Sequence, residues 1–368
     1  MIRPFLILVL LALPACAPRG QITVLPEAAQ VGVVHPIFVG TTRATDADGT
    51  YGTHRSDVLQ FARVDVSIPP SHKAGEINWP PRHGKADPQK HFLTTAQVLY
   101  PEAAGFRQAL RAKLAASGGE AVIFVHGFNN NYAEGVYRLA QFSRDLELPG
   151  AVVSYSWPSA ANPLGYVYDR DSALFARDGL EALMNEVAEA GATNILLVAH
   201  SMGAGLTVEA LRQASIRGNG KAMQRLAGVI LISPDIDIDV FRSQARAIGK
   251  LPQPFIVFGS EHDRVLRVSA QLTGQAERLG SITDVSRLAD LDVTFLDVSE
   301  FASGSGHFTA GDSPALLRLL ARIADINTAF EQDRVNRVGL LPGVVLTVQS
   351  ATQVILRPIG ALGVGVVR

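Results

Sequence analysis

Short runs of consecutive apolar residues alternate along this chain with longer stretches in which apolar positions recur every three or four residues, the periods of buried strands and amphipathic helices. Ile37–Val39 and Phe61–Ser67 read as early strands with a polar, Gly- and Asp-containing loop between them. From there the pattern predicts a strand over Leu93–Tyr100, a helix over Ala103–Ala116, a strand over Ala121–Val125 and a helix over Tyr132–Leu146. A strand over Ala151–Trp157 and a helix over Ser172–Ala190 follow, and then an apolar run from Ile195 that gives way to a helix just after Ser201. Leu226–Ser233, Phe255–Gly259 and Val293–Val298 read as three more strands, and Pro314 to about Phe330 as a closing helix. Strands alternating with helices require right-handed crossovers, so the expected architecture is α/β, a mostly parallel central sheet with helices on both faces. In such a sheet, chemistry gathers at the carboxyl ends of the strands.

The two ends of the chain depart from this pattern. Residues 1–15 carry Arg3 and then an unbroken apolar run, the layout of a secretory signal and too short to span a bilayer. Leu13-Pro-Ala-Cys16 resembles a bacterial lipoprotein signal, so Cys16 is expected to be acylated and to tie the protein to a membrane of the bacterial cell envelope, facing the periplasm. Residues 16–36 lack periodicity and read as a tether, 37–332 as the α/β domain, and 333–368 as an apolar and basic tail. The tail is expected to pack against the domain, with a membrane-surface or self-association role as the alternative.

Composition narrows the functional classes. The 368 residues are 47% hydrophobic and 18% charged, enough to bury one large core, and Cys16 is the only cysteine, so no internal disulfide forms. A net charge of -1 offers no broad basic surface, which excludes a nucleic-acid role. His72, His83 and His91 cluster around the Pro- and Gly-rich stretch Pro69–Gln89, but their spacing fits no metal-ligand pattern, and that stretch reads as a surface loop. No metal or organic cofactor is expected.

The candidate chemistry centres on Ala199-His-Ser-Met-Gly203, one methyl group away from G-x-S-x-G. Small residues at two-residue spacing around Ser201 suit a sharp strand-to-helix turn that pushes the hydroxyl outward. A serine nucleophile needs a base and a group that orients the base. His307, in Ser303-Gly-Ser-Gly-His307 after the last strand, is the expected base. Asp263 follows the strand ending at Gly259 and gives the chain order Ser, Asp, His of the α/β-hydrolases, while Asp235 is a rival acid and Glu261 a third. Asp235, Asp237 and Asp239 alternate with isoleucines and also suit a helix cap. The backbone N–H groups of Phe128, after His126-Gly127, and of Met202 are expected to form an oxyanion hole. Asn129, Asn130 and Asn131 read as a turn, and Tyr155 and Trp157, at a strand end, either wall a pocket or pack in the core, the commoner place for a strand-end aromatic. His200 is expected to point away from the serine and to pack.

Taken together, His126-Gly-Phe-Asn-Asn130, Tyr155-Ser-Trp-Pro158, Ala199-His-Ser-Met-Gly203 and Ser233-Pro-Asp-Ile-Asp237 resemble the bacterial α/β-hydrolase family of unknown function DUF900, an esterase- and lipase-like group. Phe38-Val-Gly-Thr-Thr-Arg43 and Val66-Ser-Ile-Pro-Pro70 are similar to that family's N-terminal part, so the resemblance covers roughly Phe38 to Phe330. It implies the α/β-hydrolase fold and a serine hydrolase without naming a substrate. The expectation is therefore an envelope-anchored enzyme acting on a small-molecule or lipid-like acyl substrate. A non-catalytic lipoprotein using the fold for binding, and an acyltransferase with the same triad, are the alternatives. The sequence carries no signal for oligomeric state.

Overall fold

Alternate side chains of the central strands reach opposite faces of one sheet, and helices close both faces. The computed structural model describes residues 19–301 apart from 48, 219, 275 and 276, then 307, 311, 313, 316 and 317, and the strands 338–341, 344–348 and 353–358. The signal, Cys16 and most of the expected closing helix lie outside the described residues; of that helix, Leu316 and Leu317 are helical and buried.

Twelve strands form the sheet: β1 (Val33–Thr45), β2 (Tyr51–Ile68), β3 (Leu93–Tyr100), β4 (Glu120–Val125), β5 (Ala151–Ser156), β6 (Asn194–His200), β7 (Leu226–Ile232), β8 (Phe255–Gly259), β9 (Thr294–Asp297), β10 (Val338–Leu341), β11 (Val344–Val348) and β12 (Gln353–Pro358). Their order is β10-β11-β12-β9-β8-β7-β6-β4-β5-β1-β2-β3. Every pairing from β12 through to β1 is parallel. Antiparallel strands extend both edges, β2 and β3 on one side and β11 and β10 on the other.

The helices are α1 (Ala103–Ala115), α2 (Tyr132–Asp145), α3 (Tyr166–Glu189), α4 (Met202–Arg217), α5 (Gly220–Gln224), α6 (Ile238–Ile248) and α7 (Arg264–Leu272). Among the described residues no helix is long and apolar enough to cross a membrane. Strand parity sorts the core into two clusters. Phe38, Ile123, Val125, Val153 and Tyr155 meet Phe106 of α1, Leu180 and Leu183 of α3, Leu206 of α4 and Phe241 of α6. Their neighbours Ile37, Val39, Val122, Phe124 and Val152 meet Val136, Tyr137, Leu139 and Phe142 of α2 on the other face. Each fully buried large apolar side chain contributes about 1.5–3 kcal/mol, so this two-sided burial, rather than helix propensity, holds the layers together. The expected α/β-hydrolase fold is thus the observed one.

Two expectations need correction. The early strands are not short: β1 and β2 form a hairpin of 13 and 18 residues. Buried polar residues, Thr41, Thr42 and Arg43, continue β1 where the apolar pattern stops. Residues 19–36 are not a free tether. Arg19 bonds the side chain and backbone of Asn129, each at 2.8 Å, and pairs with Glu134. Ala28, within the 3-10 turn Pro26–Gln30, is fully buried, and the Leu25 amide donates to the Thr94 carbonyl. Such single contacts leave no periodic trace in the sequence. In the tail, β12 pairs with β9 and so adds to the edge of the sheet. The Pro69–Gln89 stretch runs as an irregular segment against α2, where Trp79 stacks on Tyr137 at 4.8 Å and His72 meets Asp145 at 2.6 Å.

Candidate active site

The turn from β6 into α4 sets the position of Ser201. Its amide donates to the Ile232 carbonyl at 2.9 Å, the last step of the β6–β7 ladder, and then the backbone swings to φ 53° and ψ -123° before the helix begins at Met202. A non-glycine residue held there is strained by about 1–3 kcal/mol. The surroundings enforce the turn. A Cβ on Gly203 would lie 2.2 Å from the His126 carbonyl oxygen, so no larger residue fits at that position. Ala199 is fully buried in the core, and its methyl group is accommodated where the usual motif has glycine.

Two further loops converge on the serine. Asp263, just past β8, caps α7: one carboxylate oxygen accepts from the amides of Val265 and Leu266, both at 3.0 Å. Its other oxygen lies 2.8 Å from Nδ1 of His307. A carboxylate only accepts, so Nδ1 carries the proton and Nε2 is left to accept from the Ser201 hydroxyl, 2.9 Å away. Ser201 is 2% exposed and the Asp263 side chain wholly buried, so the chain of hydrogen bonds lies in a low-dielectric setting.

Asp235 does not compete for His307. It faces away into a buried network, 3.1 Å from Nε of Arg278, and accepts from the hydroxyls of Tyr166 at 2.9 Å and Ser269 at 2.5 Å. Burial, and then the Asp235 charge, push the Tyr166 hydroxyl up to about 12. The Asp235 amide does support the elbow by donating to the Ser201 carbonyl. Asp237 caps α6 through the Val240 amide, and Glu261 is exposed beside His262.

The segment 126–128 lies against the nucleophile. A Cβ on Gly127 would come 2.6 Å from Nδ1 of His200 and 3.0 Å from Cβ of Ser201, so glycine is required by close approach. Met202 opens α4, and its amide therefore has no intrahelical acceptor. The Phe128 amide follows Gly127, and the Phe128 ring sits edge-on to Tyr166 at 5.5 Å. Asn130 braces this segment by donating to the carbonyls of Gly127 at 3.3 Å and Phe128 at 2.9 Å, while Asn131 forms a capping box with Glu134 at the start of α2. A cavity of about 380 Å³ opens beside Met202, lined in part by Tyr166, Arg170, Asp235, Gln244 and Arg278.

Tyr155 and Trp157 do not wall a pocket. Both are fully buried: the Tyr155 hydroxyl donates to the Ala176 carbonyl at 2.5 Å, and Trp157 stacks on His126 at 5.0 Å while donating to its carbonyl. Strand parity turns Tyr155 into the α3 core. Burial, with Arg43 nearby, lowers the His126 pKa to about 3, so this ring is neutral. His200 does not point away from the site. Its ring lies 4.9 Å from that of His307 and bonds to the His307 backbone, and burial, followed by the neighbouring His307 ring, holds its pKa well below the usual value. Arg43, named in the sequence only as the end of the family-like stretch Phe38–Arg43, and Asp169, given no role there, are both fully buried behind the 126–131 segment. Their only sequence signal is a charge interrupting an otherwise buried strand or helix face. Among the described residues, no three His, Cys, Asp or Glu side chains gather so as to hold a metal ion.

None of the curated proteins matches the chain. Among solved structures, lipase B of Aspergillus fumigatus is 15% identical over 44% of this chain and 43% of its own, with a TM-score of 0.29. The chain thus spans less than half the length of that lipase. Brefeldin A esterase, a bacterial homologue of human hormone sensitive lipase, is 15% identical over 83% of this chain and 78% of its own, with a TM-score of 0.40. An alpha/beta hydrolase enzyme from the metagenome of Lake Arreo, Spain, is 14% identical over 88% and 97%, with a TM-score of 0.38. The sequence profile described as alpha/beta hydrolase of unknown function (DUF900) matches residues 102–322. That match takes in more than half of the 368 residues, and the protein belongs to this α/β-hydrolase family.

Proposed function

We propose that the protein is a serine hydrolase that cleaves an ester or related acyl bond through an acyl-enzyme intermediate. The observation that carries this reading is the chain of hydrogen bonds from Ser201 through His307 to Asp263, 2.9 and 2.8 Å long, on a strained elbow. His307 Nε2 takes the hydroxyl proton as Ser201 Oγ attacks the substrate carbonyl carbon, and Asp263 stabilises the imidazolium that forms. The negative oxygen of the tetrahedral intermediate faces the amides of Phe128 and Met202. Collapse expels the leaving group, which receives the proton from His307. Water, deprotonated by the same ring, then releases the acyl group and restores Ser201.

The signal-like residues 1–15 support export and acylation at Cys16, and on this reading the enzyme is tied to a membrane of the bacterial envelope and acts on a small or lipid-like acyl compound. Metabolic labelling with palmitate, lost in Cys16→Ser, tests the anchor. Hydrolysis of p-nitrophenyl acetate and longer esters tests the chemistry. The expected result is turnover by wild type and a fall in kcat of about 10⁴-fold or more in Ser201→Ala and His307→Ala. Equal turnover by wild type and both variants would contradict the reading.

A further inference from the structure

The segment Thr41-Thr-Arg43 plays no part in the proton relay, yet Arg43 is fully buried near the end of β1, between two shifts in the β1–β2 register. Register shifts of this kind re-aim a side chain out of the regular pleat. Here the guanidinium reaches four residues on three separate pieces of chain. Its Nε donates to the Ser156 hydroxyl at 2.9 Å, one terminal nitrogen to the carbonyls of Gly52 at 2.8 Å and Ser159 at 3.1 Å, and the other to the Asn130 carbonyl at 2.8 Å. Asp169, equally buried on α3, works on the same loop from the opposite side. It accepts from the Ser159 hydroxyl and the Ala160 amide, both at 2.6 Å, and from the Asn129 amide at 3.2 Å. Ser159 completes the set by accepting from the Asn130 amide at 3.2 Å. The amides of Asn129 and Asn130 and the Asn130 carbonyl, the backbone immediately after Phe128, are thus held by buried partners.

We propose that Arg43, Asp169 and Ser159 are positioning residues that clamp the 128–130 backbone so that the Phe128 amide stays aimed at the developing oxyanion. The inference rests on the hydrolase reading given above. An isolated charge is costly to bury, and burial lowers the Arg43 pKa to about 10 while the Asp169 charge opposes that shift. A rigid, planar five-donor fork satisfies separate carbonyls in fixed directions, which a lysine ammonium on a flexible stem does less well. Preorganised donors lose their advantage when they must be reoriented during the reaction.

The test compares wild type with Arg43→Lys, Asp169→Asn and Ser159→Ala, the last removing one hydroxyl in case the charged sites fail to fold. Ester hydrolysis kinetics are measured together with hydrogen exchange of the 126–131 peptide. The expected outcome is a fall in kcat of about 10- to 100-fold in Asp169→Asn with KM within about threefold, a smaller fall in Ser159→Ala, and partial retention in Arg43→Lys. Exchange in the loop should quicken about tenfold or more in folded Asp169→Asn and Ser159→Ala. Folded variants with wild-type kcat, or a loss confined to KM, overturn the proposal. If wild type turns over no ester, the hydrolase reading fails and exchange alone decides the clamp: unchanged exchange overturns it, and quickened exchange upholds it as a loop clamp.

Discussion

Ser201 combines two demands that oppose each other. Its hydroxyl must stand clear of the sheet, and its backbone is therefore held at a φ of 53° that side chains disfavour. Ser201→Gly relieves the strain, and we expect it to stabilise the fold by about 1 kcal/mol, read as a higher urea midpoint, while abolishing turnover. Gly203 has the converse constraint. Gly203→Ala drives a methyl group to 2.2 Å from a backbone oxygen that cannot move without shifting β4, so a loss of about 2 kcal/mol or more is expected in the same measurement. A wild-type midpoint for Gly203→Ala would show that the elbow is looser than its geometry implies.

At the level of elements, each member of the proposed triad follows a parallel strand: Ser201 directly after β6, Asp263 in the turn after β8, and His307 in the longer segment after β9. Asp263 also caps α7, so the helix fixes the carboxylate that orients His307. Asp263→Asn keeps a capping acceptor but can favour the wrong imidazole tautomer, and kcat is expected to fall about 10⁴-fold with little change in stability. Asp235→Asn should do the reverse, disrupting the buried pair with Arg278 at a cost of about 3 kcal/mol while kcat stays within about fivefold. A collapse of kcat in Asp235→Asn with Asp263→Asn active would exchange their roles. The triad positions were legible in the sequence because strand ends and glycine-rich turns mark themselves by apolar periodicity. Arg43 was not, because Thr41-Thr42-Arg43 reads as a polar loop until three separate segments are brought around it. The first turns of α3 were hidden in the same way by Asp169, Arg170 and Asp171. Tyr155 and Trp157 were located correctly along the chain but not in direction, since which face of a doubly covered strand is the deeper one is a property of the packed sheet.

For the whole molecule, histidines buried in the neutral form set the acid limit. His126, His200 and His35 all have pKa values lowered chiefly by burial, His126 to about 3. The unfolded chain binds protons at these rings near pH 6.5 and the folded chain does not, so their contribution is intact above that pH and is lost as pH falls. For His126 the window runs down to about pH 3, at up to about 1.4 kcal/mol per pH unit. Urea midpoints measured between pH 7.5 and 5 should therefore decline, and His126→Asn should flatten the slope. A midpoint independent of pH over that interval would mean that these rings remain hydrated.

An activated Ser201 reacts covalently with a fluorophosphonate, and that labelling decides whether the serine is a nucleophile. One label per chain is expected on the peptide containing Ser201, slowed by at least about 10³-fold in His307→Ala and absent from Ser201→Ala. Label on a different residue, or equal labelling of wild type and His307→Ala, would contradict it.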